Sequence, residues 1–275
     1  MQIFRDRTAV VTGGAAGIGR ALCERLAELG ARVVVADING QGAEDVATQL
    51  RQRGAQAEAA KADVSDVMQI DALVNDVVAK HGRLDFMFNN AAVAAVGELR
   101  DGNIQDFRRI VEVNLFGVVH GTMAAYRVMV RQGSGHIVNV SSMTGLMPTP
   151  IISAYSTTKW AIVGFSTAVR VEAAGLGVKV SVACPSLVQT DIPERSFFWN
   201  VRKEDYLRWL PWKRLMLTPA QAADAILRGT TRNKEIIVFP FSAAIGWLVY
   251  RTFPSLFGPL FGRTLEGFRA LRITP

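Results

Sequence analysis

Tyr155 and Lys159 stand four residues apart in Ala154-Tyr-Ser-Thr-Thr-Lys-Trp160. On a helix, positions i and i+4 share a face, so a phenol and an ammonium would project side by side. A free tyrosine titrates near about 10 and is a poor base at neutral pH. A neighbouring positive charge favours the phenolate. The pair has the outline of a proton-transfer device. On its own the same spacing is equally that of a solvated polar face, so its weight comes from the residues upstream.

Those residues must position a partner for the proton chemistry. Thr8-Ala-Val-Val-Thr12 is short, apolar and β-branched, as a buried parallel strand requires. Gly13-Gly-Ala-Ala-Gly17-Ile-Gly19 follows, and Arg20 to Leu29 has helical periodicity that stops at Gly30. A strand, a glycine turn and a helix start make a phosphate cradle, because free N–H groups and the positive dipole end face the ligand. A second strand, Arg32-Val-Val-Val-Ala-Asp37, ends in a carboxylate 18 residues past Gly19. That is near the spacing of an acid that binds the adenosine ribose. Such an acid would repel a 2′-phosphate. Ala16, Ile38 and Asn39 offer that phosphate no basic side chain, so NAD is expected over NADP.

With both ends in view, the sequence resembles the classical short-chain dehydrogenase/reductase family from Thr8 to about Phe239. Thr12-Gly-Gly-Ala-Ala-Gly-Ile-Gly19 resembles the family's cofactor motif, and Asn89-Asn-Ala-Ala92 its Asn-Asn-Ala-Gly motif with Ala92 for glycine. Asp63 in Ala62-Asp-Val64 sits where the family contacts adenine. Pro185-Ser186 stands where Pro-Gly is usual, and Thr190 where a threonine binds the nicotinamide amide. Ser142 precedes Tyr155 by 13 residues, the family spacing, and Asn114 in Val113-Asn-Leu115 matches the active-site asparagine.

The resemblance implies a catalytic set of Asn114, Ser142, Tyr155 and Lys159. Tyr155 would be the acid/base, and Ser142 would hold the substrate oxygen. Lys159 would lower the tyrosine pKa and bind the nicotinamide ribose, and Asn114 would hold a relay water. The implied cofactor set is Gly13, Ala16, Gly17, Ile18, Gly19, Asp37, Asp63, Val64, Asn90, Ala91, Tyr155, Lys159, Pro185, Val188 and Thr190. It implies a homodimer or homotetramer acting on a small molecule.

The wider pattern is α/β. Strands are expected at 8–12, 32–37, 56–61, 84–89, 136–141, 178–184 and 235–239. Helices are expected near 17–29, 41–53, 67–81, 104–131, 154–174 and 219–231. Alternation of this kind makes a doubly wound parallel sheet, Rossmann-type, in one domain. Its cofactor-binding and catalytic part covers 1–239 with a substrate lid at 187–219, and an apolar, basic extension of the same domain covers 240–275.

Composition excludes several classes. Of 275 residues, 49% are hydrophobic and two are cysteines without a Cys-x-x-Cys, which suits one large core in a reducing compartment. Three scattered histidines have no ligand spacing, so no catalytic metal is expected. The first strand begins at Thr8, leaving no room for a signal peptide, so a cytoplasmic protein is expected. The net charge of +7 carries no nucleic-acid motif with it. Much of the excess lies after Ser186, interleaved with aromatics.

The lid holds Phe197, Phe198, Trp199, Tyr206, Trp209 and Trp212, so three of the five tryptophans fall between 199 and 212. They either line a large apolar pocket, touch membrane, or simply pack the lid onto the core. Thr144 to Ile152 adds an apolar wall. Ile245, Leu248 and Val249 mark one face of a tail helix, and Phe253 to Phe261 follows between Arg251 and Arg263. The tail is read as a pocket cover, a subunit contact or a peripheral membrane contact. The expected substrate is a bulky lipophilic alcohol or ketone of the steroid, retinoid or long-chain class. The competing readings are a non-catalytic nucleotide-binding scaffold and a membrane-surface adaptor on the same fold.

Overall fold

The computed structural model of the chain describes residues 1–210 and 213–274. Its strands are β1 (Thr8–Thr12), β2 (Arg32–Asp37), β3 (Ala57–Lys61), β4 (Phe86–Asn89), β5 (Ala95–Val96), β6 (Gly135–Val140), β7 (Val178–Pro185), β8 (Phe197–Phe198) and β9 (Ile236–Phe239). Its helices are α1 (Gly17–Glu28), α2 (Gly40–Gln52), α3 (Val67–His81), α4 (Ile104–Val111), α5 (Gly117–Gln132), α6 (Ser153–Glu172), α7 (Lys203–Trp209), α8 (Pro219–Thr231), α9 (Phe241–Thr252) and α10 (Gly258–Arg269).

Seven strands pair in the order β3-β2-β1-β4-β6-β7-β9, every pair parallel. All five residues of β1 are buried, as a sheet covered on both faces demands. Neighbouring strand residues point to opposite faces. Val11 joins Leu22, Leu26, Val46, Leu50 and Ile226, from α1, α2 and α8. Val10 joins Ile70, Leu73, Val74, Val128 and Met129, from α3 and α5. The chain therefore winds one way from β1 to β3 and the other way from β4 onward. Between β1 and β4 lies the switch point where such sheets take ligands.

The expected single helix at 104–131 is broken. A π-helical turn, Glu112–Phe116, separates α4 from α5, and the Gly117 N–H bonds the Glu112 carbonyl. The extra residue re-aims the side chains there: Asn114 turns toward Val93 and Thr158. Gly117 lies so close to the β3–α3 connection that a Cβ would stand 2.6 Å from Val64 Cγ2.

β5 pairs with β8 in a separate two-stranded ladder, which ties the segment after β4 to the lid. Beyond β9 the tail forms α9, a short 3₁₀ turn (Pro254–Phe257) and α10. Among the described residues no helix is long and apolar enough to cross a membrane. Trp212 lies outside the described residues.

Candidate active site

The cofactor cradle is built by backbone geometry. Gly13 and Gly17 have φ of +66° and +54°, values that favour glycine. A Cβ on Gly19 would stand 2.0 Å from the Gly13 carbonyl oxygen, so the third glycine lets α1 close onto the loop. Ala16, the N-cap of α1, offers no side-chain cap, whereas Asn39 caps α2 and Asp66 caps α3. The first N–H groups of α1 are therefore left for an anion.

Side chains brace this loop from both sides. Asp37 Oδ2 accepts from the Ala15 N–H at 3.0 Å, and Oδ1 from the Asn39 N–H at 2.9 Å. Asn90 Nδ2 donates to the carbonyls of Thr12 and Gly13 at 3.0 and 3.3 Å. Thr12 Oγ1 accepts in return from the Asn90 N–H at 3.0 Å.

A cleft opens above these residues. Gly13, Ala16, Gly17, Ile18, Asp37, Asp63, Val64, Asn90, Ala91 and Thr190 line it. Partial burial works to raise the Asp63 carboxyl, but hydrogen bonds from Ser65 and the Arg109 guanidinium outweigh it and hold it below the usual range. Five expected cofactor residues do not line the cleft: Gly19, Tyr155, Lys159, Pro185 and Val188. Gly19 backs the loop, Pro185 is paired to Phe239 within the sheet, and Val188 packs on the core beside Leu217.

The sequence reading missed Ile38, Val93, Arg109, Val113, Ile192 and Arg195, all of which line the cleft. Arg109 and Val113 carried a signal in their i, i+4 spacing just ahead of Asn114. Ile192 and Arg195 carried none, because only the folded lid brings them over the cradle.

The catalytic set gathers at the C-terminal ends of β6 and β7 and the start of α6. Ser142 follows β6 and caps the turn at Met143–Gly145, and its hydroxyl acts to pull the Tyr155 pKa down. Its Oγ also accepts from the Thr144 N–H at 3.2 Å. Lys159 is buried, with Nζ 5.2 Å from the Tyr155 ring centre and donating to the Val140 carbonyl at 2.9 Å. Burial pushes Lys159 down to about 7, and nearby Cys184 works slightly the other way.

One expectation changes here. Lys159 was expected to lower the Tyr155 pKa. Instead burial pushes the phenol up to about 12, against the downward pull of the Ser142 hydroxyl. Desolvation dominates, and Lys159 lies over the ring face with its Nζ donating to the Val140 carbonyl. The side chain of Asn114, the residue expected to hold a relay water, is engaged by protein groups. Its Oδ1 accepts from the Val93 N–H at 2.8 Å, and its Nδ2 donates to Val93 O at 2.9 Å and Thr158 Oγ1 at 3.2 Å. The amide is a clamp between the segment after β4 and helix α6.

A glycine cradle at the switch point beside a Ser, Tyr and Lys cluster defines a nucleotide-dependent oxidoreductase fold. The family model for short chain dehydrogenases matches residues 7–200, and the chain belongs to that family, whose members bind a nicotinamide cofactor. It is 36% identical over 241 residues to the "Probable oxidoreductase EphD" of Mycobacterium tuberculosis. That match covers 85% of this chain but 41% of the EphD length, so this chain spans about two-fifths of that relative. It is 32% identical over 215 residues to a 3-oxoacyl-(acyl-carrier-protein) reductase of Synechocystis sp., covering 78% of this chain and 85% of that one. A crystal structure of a short chain dehydrogenase/reductase from Burkholderia phymatum in complex with NAD superposes with a TM-score of 0.84 at 26% identity. That superposition covers 92% of this chain and 95% of the other.

Proposed function

We propose that this chain is an NAD-dependent oxidoreductase interconverting a bulky lipophilic secondary alcohol and its ketone, of the steroid, retinoid or long-chain class. The observation that carries the reaction is Lys159 Nζ 5.2 Å from the centre of the Tyr155 ring, with the Ser142 hydroxyl acting on the same phenol. The residues fit a dinucleotide, because a side chain at Gly13 or Gly17 would fill the cradle and strain its backbone. Asp37 at the end of β2 supports NAD, as does the NAD in the Burkholderia phymatum relative. When bound, nicotinamide supplies the hydride acceptor and donor.

The chain's own residues handle the proton. In ketone reduction the Tyr155 hydroxyl gives its proton to the carbonyl oxygen as that oxygen gains negative charge. In alcohol oxidation the phenolate takes the hydroxyl proton. Ser142 donates to the same oxygen and holds it in line with Tyr155. Lys159, when charged, favours the phenolate. Asn114 fixes the distance between the Val93 segment and α6, and so positions the other three.

The lipophilic reading rests on an apolar cluster that begins just ahead of Tyr155 in the chain: Ile151 and Ile152 pack with Phe198, Tyr206, Trp209 and Phe268. Phe198, Tyr206, Trp209 and Phe268 also contact one another in succession through tilted and edge-on rings, with centroids 5.7–6.1 Å apart. Much of this surface is therefore consumed in holding the lid and tail together. Residues 1–239 form the cofactor and catalytic unit with the lid at 187–219, and 240–275 extends it. Members of the family are typically oligomeric, and a homodimer or homotetramer in the cytoplasm is the working assembly.

The test is turnover of lipophilic secondary alcohols with NAD by the wild type and by Tyr155→Phe. The variant should keep cofactor binding and lose about 10²–10⁴-fold in kcat. Near-wild-type turnover would remove Tyr155 from the mechanism.

A further inference from the structure

The tail folds as a helical hairpin whose apolar side faces away from the protein. Trp247 packs α9 onto the core beside Val238. The face of α9 opposite Trp247 carries Phe241, Ile245 and Leu248, and Phe241 is 79% and Leu248 64% exposed. Phe253, Leu256 and Leu260 extend the same kind of surface through the turn into α10, and Leu256 is 64% exposed. No residue of α9 or the turn is buried. Tyr250, Phe257 and Phe261 contact each other, with centroids 5.5 and 5.9 Å apart, and close the hairpin on itself.

The hairpin is nonetheless fixed. Phe268 near the end of α10 is fully buried, and Arg269 pairs with Glu98 at 2.7 Å. Six large apolar side chains held out on a pinned scaffold form a patch that soluble surfaces rarely leave uncovered.

Charge selects the occupant. Between residues 241 and 268 the basic side chains are Arg251 and Arg263, and the single acid is Glu266. Both arginines are exposed, and among the described residues neither has an ion-pair partner. The whole chain carries +7. A second copy seated on this face would set arginine against arginine, whereas an anionic lipid surface complements both the apolar ridge and the charge. We propose that the α9–α10 hairpin docks this protein onto an anionic membrane surface, lying in the interface without spanning it. Docking would bring the lid, which Phe268 ties to the hairpin through Trp209, close to lipid. This inference does not depend on the oxidoreductase reading, and its test involves no turnover.

The test is co-sedimentation of the full chain with vesicles of phosphatidylcholine mixed with phosphatidylglycerol, and with phosphatidylcholine alone. Binding should need the anionic lipid and weaken with salt. Each arginine should contribute roughly fivefold to partitioning, so Arg251→Ala with Arg263→Ala should weaken it about 25-fold. Leu248→Ser with Leu256→Ser should abolish it, while circular dichroism and NADH binding stay at wild-type values. Failure of the wild type to bind anionic vesicles would overturn the proposal, and so would unchanged binding of either double variant. If the Leu248→Ser, Leu256→Ser protein instead loses a dimer that the wild type forms without vesicles, the face belongs to a second copy and the lipid assignment falls.

Discussion

Lys159 Nζ lies 5.2 Å from the centre of the Tyr155 ring, over its face. The protein surrounding the pair disfavours charge on either member: burial takes the ammonium down to about 7 and the phenol up to about 12. At neutral pH the site therefore holds a protonated phenol, ready to act as an acid, above a lysine that is charged in only part of the population.

That arrangement predicts a pH signature in stability. The folded Lys159 pKa lies below the unfolded value of 10.5. Between about pH 7 and 10.5 the unfolded chain binds the extra proton, so this residue's contribution improves as pH rises. Below about pH 7 its cost is fully present. Against Lys159→Met, the wild type should be relatively less stable at pH 6 and recover by pH 10, with a full swing of about 4–5 kcal/mol. Urea unfolding of both proteins at pH 6, 8 and 10 measures it. A difference that does not change with pH would mean the lysine stays charged in the folded site.

Asp37 predicts cofactor choice. Its carboxylate lines the cleft while bonding the Ala15 and Asn39 N–H groups. The wild type should bind NADH at least about tenfold more tightly than NADPH, equivalent to 1.4 kcal/mol. Asp37→Asn keeps an acceptor for the loop and removes the charge, so the preference should narrow mainly through better NADPH binding. Fluorescence titration of both dinucleotides decides the matter. Equal or tighter wild-type binding of NADPH would end the assignment.

Gly19 predicts a steric failure. The Cβ of Gly19→Ala would stand 2.0 Å from Gly13 O and 2.6 Å from Asn90 Nδ2. Backbone must give way there, at a cost of about 1–3 kcal/mol. NADH affinity should fall and Tm should drop. Gly164→Ala, where a Cβ meets nothing within 4 Å, is the control: it should leave NADH affinity unchanged and should not lower Tm, since alanine suits a helix interior better than glycine. A Gly19→Ala protein with wild-type affinity would show that the loop does not need its close approach to α1.

The sheet was legible because buried parallel strands leave continuous β-branched runs, and the cradle because glycine is the residue its backbone requires. Thr8–Thr12 and Arg32–Asp37 coincide with the observed strands residue for residue. The π turn at Glu112–Phe116 was not legible. Helical periodicity there runs on through one extra residue, and the cause is a contact with Val93 that is distant in sequence. The Tyr155 pKa was misread for a related reason. Spacing reveals the neighbouring charge, but burial is set by the whole fold. In the tail, periodicity marks a face at Ile245 and Leu248, but only the packing of Trp247 shows that this face points outward.

The lid and tail predict how the enzyme responds to substrate length. Phe268 is fully buried against Trp209, and the two belong to the apolar cluster that includes Ile151 and Ile152, a few residues ahead of Tyr155. If that cluster borders a substrate site, each added methylene should raise kcat/KM about fourfold, since burying one is worth about 0.8 kcal/mol. The measurement is kcat/KM for straight-chain secondary alcohols of increasing length, with NAD saturating, for the wild type and for Phe268→Ala. Removing the phenylalanine leaves a cavity and costs about 3–5 kcal/mol, so the variant must first be shown folded by its Tm and by NADH binding. A steep wild-type profile that flattens in Phe268→Ala means that both lid and tail shape the site. A steep profile unchanged by the substitution keeps an apolar site but releases the tail from it. A flat wild-type profile rejects the lipophilic substrate class, and the lid aromatics then serve only to pack the lid against α10.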